Sequence, residues 1–148
     1  MKKSRLYLLI LFLSIFYGNT LLAQDMSLSV IANEKGAPEA LTISELKRVF
    51  RGEKQWWNDG TKIVIALMKT STPSGSATAK KLLEMSGDEL NKYWLSLVFQ
   101  GKAKAPAFFN SEKELMDFVN QNKGSIGIID KNSAGSSRTI TVENKNSF

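Results

Sequence analysis

Cysteine and histidine are both missing from this chain of 148 residues. Without cysteine there are no thiol nucleophiles and no disulfides, so the fold must draw its stability from a packed core. Without histidine there is no Ser–His catalytic pair. The two absences together remove the usual zinc and copper sites. No pair of carboxylates stands out as an acid–base couple, and there is no Gly-x4-Gly-Lys-Ser/Thr run for a nucleotide triphosphate. The sequence therefore reads as a non-enzyme with no cofactor. Internal repeats and low-complexity segments are also absent.

The first residues have their own pattern. Lys2, Lys3 and Arg5 precede an apolar run from Leu6 to Tyr17, and small or polar residues follow up to Ala23. That order reads as a secretory signal peptide over residues 1–23. The run is shorter than the ~20 residues a spanning helix needs, which argues against a retained anchor. No cysteine follows it, which excludes a lipoprotein anchor. The expectation is export across the inner membrane to the periplasm, with no stable membrane anchor in the mature form.

Removing that segment changes the charge. The whole chain has 20 Lys+Arg against 14 Asp+Glu. Three of the basic residues and none of the acids precede residue 24, leaving 17 against 14, an excess of +3. Such a small excess suits a mild attraction for anions and argues against a nucleic-acid partner.

The remaining residues, about 125 of them, are enough for one domain, expected over 24–143 with a frayed tail at 144–148. "SLSVIA" alternates and reads as a strand, with Leu28, Val30 and Ala32 on one face. "LTISELKRVFRG" is a helix with a capping box at Thr42 and Glu45 and a stripe of Ile43, Leu46, Val49 and Phe50. "EKQWWNDG" is a loop in which at least one of Trp56 and Trp57 packs. "KIVIAL" is apolar throughout, as a strand buried on both faces is. Helical spacing resumes at Ala79, Leu82 and Leu83. A second capping box at Ser86 and Glu89 opens a helix carrying Leu90, Tyr93, Trp94, Leu97 and Val98. A third, at Ser111 and Glu114, opens one carrying Leu115, Phe118 and Val119. "KAKAPAFF" between them reads as irregular, with Lys102 and Lys104 as solvated surface. "SIGIID" and "RTITVE" read as the last two strands. The alternation predicts an α/β fold with a mostly parallel sheet flanked by helices.

One junction lacks both bulk and charge. "TSTPSGSAT", residues 70–78, lies between the apolar strand and the next helix. From spacing alone, a hydroxyl of Ser74 or Ser76 that caps the helix accounts for it, worth about 1 kcal/mol. The alternative is a seat for an anion. The first N–H groups of a helix have no internal acceptor and carry partial positive charge. Gly75 would let backbone donors approach a guest, Ser74 and Ser76 would add hydroxyls, and Lys69 would add charge.

Four stretches in order resemble bacterial phosphate-binding proteins of the type 2 periplasmic-binding superfamily. They are "LTISELKRVFRGEKQWWNDGTKIVIAL", "STPSGSAT", "YWLSLVFQGK" and "KGSIGIID". The second resembles that family's Ser-Gly-Thr turn, and the third its short, single-lobe-sized members. The resemblance implies the fold of one lobe of such a protein. It implies that Ser74, Gly75 and Ser76 contribute to binding phosphate or a similar oxyanion. Ser76 stands where the family has Thr. Lys69 is the cation nearest the family's arginine, a point charge in place of a planar fork. The partners implied are an ABC permease or a second copy of the lobe. Family members close two lobes on the ligand, and no second glycine-serine loop matches here. The site is then half-formed, completed by a second copy, or lost. In the last case the chain is an envelope protein-interaction module that kept the fold.

Overall fold

A computed structural model describes residues 25–148. The expected signal segment, 1–23, lies outside the described residues. Six strands form a single sheet: β1 (Leu28–Ala32), β2 (Ala40–Leu41), β3 (Val64–Met68), β4 (Ala107–Phe109), β5 (Ser125–Asp130) and β6 (Thr139–Val142). Their spatial order is β2-β6-β1-β5-β3-β4. β2, β6, β5, β3 and β4 run one way, and β1 runs against both its neighbours. The sheet is thus mostly parallel, with β1 the exception.

Among the described residues, four α-helices cover it: α1 (Ile43–Phe50), α2 (Pro73–Lys81), α3 (Gly87–Phe99) and α4 (Glu112–Gln121). Strands buried on both faces split the core in two. Leu28, Val30, Leu67, Ile126 and Ile128 point to the face packed by Leu46, Phe50, Leu82, Leu90 and Trp94 of α1–α3 and the turn after α2. Ile31, Ala66, Met68 and Ile129 point to the other face, packed by Leu115 and Val119 of α4. Full burial of each such Leu, Ile or Phe contributes about 1.5–3 kcal/mol. Among the described residues, no helix is long and apolar enough to cross a membrane.

Local signals hold where local chemistry is complete. Thr42–Glu45 and Ser86–Glu89 are reciprocal capping boxes. At Ser111 only half the box forms: the hydroxyl accepts from the Glu114 N–H at 3.3 Å, and the glutamate does not return. Gly52 follows α1 at φ 72°, a conformation that suits glycine. Trp57 is buried and its indole N–H donates to the Gly124 carbonyl at 2.9 Å, while Trp56 is exposed. One of the two tryptophans therefore packs.

Three expectations change. "KAKAPAFF" is not wholly irregular, because Ala107–Phe109 pairs in parallel with Ala66–Met68 as an edge strand. Ala40–Leu41 adds a two-residue strand beside β6. Both are too short for a period to register. The end of the chain does not fray. Glu143 and Asn144 take φ of 50° and 63°, and Val142 and Lys145 exchange hydrogen bonds across the turn they make. Phe148 then exchanges backbone bonds with Leu28, at 2.8 and 2.9 Å, and packs on the core.

Candidate functional site

β3 ends at Met68, and Lys69–Thr72 carries the chain to α2. The helix starts earlier than either candidate cap, and the residue that caps it is Thr72. Its backbone is extended (φ −91°, ψ 155°) and its hydroxyl oxygen accepts from the Gly75 N–H at 3.1 Å. The same hydroxyl donates to the Lys69 carbonyl at 2.7 Å. Pro73 occupies the first helical position, where a missing N–H costs nothing. Threonine followed by proline was the available signal for this start.

Capping decides which donors remain. The Gly75 N–H is held by Thr72, and the Ser76 N–H donates to the Thr72 carbonyl at 2.9 Å. Among the described residues, the Ser74 N–H has no protein acceptor. Ser74 is buried and Ser76 exposed. Gly75 has a structural reason to be glycine. A Cβ there would lie 2.1 Å from the Lys69 carbonyl oxygen and 2.7 Å from that of Met68. The close approach that glycine permits is between α2 and the end of β3.

Two shallow clefts flank this junction. Ser74 and Thr72 open on one of about 320 Å³, walled by Met68, Asn110, Ser111, Glu112 and Asp130. Here the N-termini of α2 and α4 meet the carboxyl ends of β3 and β5, the edge where open α/β sheets bind ligands. Lys69 is exposed and lines a separate cleft of about 370 Å³ with Thr70, Ser71, Asn91 and Phe108. Lys69 and Ser74 are thus neighbours that face different depressions, and Gly75 and Ser76 wall neither.

The electrostatics of the Ser74 cleft are mixed. Two helix N-termini supply partial positive charge. Glu112 and Asp130 supply carboxylates, both committed to backbone donors. Glu112 Oε1 accepts from the Asp130 N–H at 2.8 Å, and Asp130 Oδ1 from the Asn132 N–H at 2.8 Å. These two acids lie 18 residues apart, so no sequence spacing joins them. A fully deprotonated anion is opposed here, whereas a guest that still carries a proton can donate it to a carboxylate.

No protein-family model matches the sequence, and no curated protein matches it. Solved structures do. An ABC-type phosphate transport receptor from Vibrio cholerae superposes with a TM-score of 0.62 at 18% identity, covering 84% of this chain and 50% of that one. PstS from Borrelia burgdorferi gives 0.65 at 18%, covering 81% and 48%. A putative phosphate ABC transporter substrate-binding protein with bound phosphate, from Clostridium perfringens, gives 0.59 at 16%, covering 82% and 47%. The fold matches a single lobe of these solved structures. The lobe spans about half the length of each of these structures.

Proposed function

We propose that this chain is an exported, non-enzymatic lobe that binds phosphate or a similar oxyanion at the N-terminus of α2. The observation that carries the reading is the Ser74 N–H, unpaired among the described residues, which sits at the carboxyl edge of the sheet in a fold shared with a phosphate transport receptor. In this reading the Ser74 amide and hydroxyl make the first contact. Gly75 keeps α2 close to the strand end, Ser76 offers a hydroxyl at the rim, and Lys69 adds long-range attraction from the adjacent cleft. Glu112 and Asp130 favour an oxyanion that retains a proton, hence hydrogen phosphate over sulfate. Delivery to an ABC permease, or completion of the site by a second copy, is the transport role that goes with it.

Calorimetry on residues 24–148 tests it. Phosphate should release or absorb heat and raise the melting temperature at millimolar ligand, sulfate less so. Ser76→Ala and Lys69→Ala should weaken the binding. No heat and no thermal shift with either anion would rule the reading out.

A second reading has its own support. Among the described residues, the Ser74 cleft is lined by two carboxylates and no cation, and the chain spans about half the length of the solved structures it matches. A protein-interaction module of the cell envelope that has lost the ligand fits both facts. It expects a partner whose binding is indifferent to phosphate and survives Ser74→Ala with Ser76→Ala.

A further inference from the structure

At the opposite end of β3 lies a cavity unrelated to the α2 junction. It has a volume of about 190 Å³ and is walled by the start of β3, the turn after α1, α3, and the loop that leads to β4. Its apolar surface comes from Ile63, Ile65 and Trp94. Its polar surface includes Lys54, Lys62 and Lys104, and among the described residues no Asp or Glu lines it. The three lysines differ. Lys54 is already engaged, 3.9 Å from a Glu45 oxygen and 5.9 Å from the centre of the Trp57 ring. Lys62 and Lys104 have no carboxylate within 4 Å among the described residues. The Lys62 ammonium stands 5.5 Å over the exposed Trp56 ring.

We propose that this cavity is a binding site for a small amphipathic anion: one acid group, carboxylate or phosphate monoester, on an apolar ring or short chain. The apolar body rests on Ile63, Ile65 and Trp94, and the acid group sits between Lys62 and Lys104. Three considerations select this chemistry. The lining carries an excess of positive charge with no acid to cancel it, so a neutral apolar guest leaves the attraction unused and a cation is repelled. The walls are largely aliphatic and aromatic, so a bare inorganic ion forgoes the burial that makes such a pocket favourable. The volume is below that of pockets for drug-sized ligands, roughly 300–1,000 Å³, so the guest is a single ring or a few carbons rather than a lipid tail. The C-terminal end of α1 lies nearby and its partial negative charge opposes the anion. That fractional charge is smaller than the two unpaired ammoniums together.

The site is separate from the α2 junction, so its test is independent of phosphate binding there. The chain has three tryptophans, and the indole N–H of Trp94 has no acceptor among the described residues. Its NMR resonance, assigned through Trp56→Phe and Trp57→Phe, reports on the cavity. Titration with benzoate or phenyl phosphate should shift that resonance saturably, and whichever binds better identifies the acid group. Benzyl alcohol and inorganic phosphate should shift it far less. Lys62→Met and Lys104→Met keep the apolar stems and remove the charges, and each should weaken binding about tenfold. Ser74→Ala and Ser76→Ala should leave it unchanged. The proposal fails if neither anion moves the Trp94 resonance, if benzyl alcohol matches them, or if the double lysine variant binds as the parent does.

Discussion

An alanine at position 75 would bring its Cβ within 2.7 Å of three backbone atoms of Met68 and Lys69. Alanine favours a helix over glycine by about 1 kcal/mol. Overpacking against backbone, which cannot rotate away, costs about 3 kcal/mol and outweighs that gain. Gly75→Ala should therefore lower the urea midpoint sharply at unchanged m-value. A neighbouring pair separates cap from site. Thr72→Ala removes the oxygen that holds the Gly75 N–H and should cost about 1 kcal/mol by chemical denaturation. Ser76→Ala, at an exposed first-turn position, should leave stability nearly unchanged. The reverse order would return the cap to Ser76. At this scale the sequence showed a stretch of hydroxyls at a helix start. The hydroxyls of Thr72, Ser74 and Ser76 are chemically near-equivalent, so the choice of Thr72 as cap was signalled only by the proline after it, which suits the first helical position.

The helices were legible as elements because their start signals act over three residues. Both complete capping boxes leave a pH signature. The Thr42 N–H donates to Glu45 at 3.1 Å and holds its carboxyl below the usual glutamate range; the Ser86 N–H does the same for Glu89 at 2.7 Å. A carboxyl whose folded pKa is lowered stabilises the fold above its unfolded pKa of about 4.3. That contribution disappears as pH falls through the lowered folded value. Glu45→Gln with Glu89→Gln should flatten the fall in melting temperature between about pH 5 and pH 3. An acid limb as steep as the parent's would mean that these boxes are not ionised caps. Strands were less evenly legible. β3 and β5 are apolar runs that any window finds, whereas β2 and β4 are two and three residues long. Those two become strands through the neighbour they meet, not through a pattern of their own.

For the molecule as a whole, the described residues form one unit that spans about half the length of the solved structures it superposes on. Scattering from residues 24–148 should give a radius of gyration of about 14 Å, the value for a compact chain of this length. Saturating phosphate should leave it unchanged. A marked contraction would point to a hinge within the lobe, and a doubled mass to a second copy completing the site. The α/β class, the flanking helices and the mostly parallel sheet were all readable beforehand. The reversed direction of β1 was not. It depends on which strands flank it: β1 sits between β5 and β6 and runs against both.

Residue order alone determined the helix starts, the apolar strands and the hydroxyl-rich junction, because each is set by contacts between residues a few positions apart. Strand order, the fate of the C-terminal residues and the choice of Trp57 over Trp56 for burial came only with the tertiary structure. So did the grouping of Ser74 with Glu112 and Asp130 and its separation from the cleft of Lys69. These depend on where distant segments come to lie side by side, and no local signal carries that information.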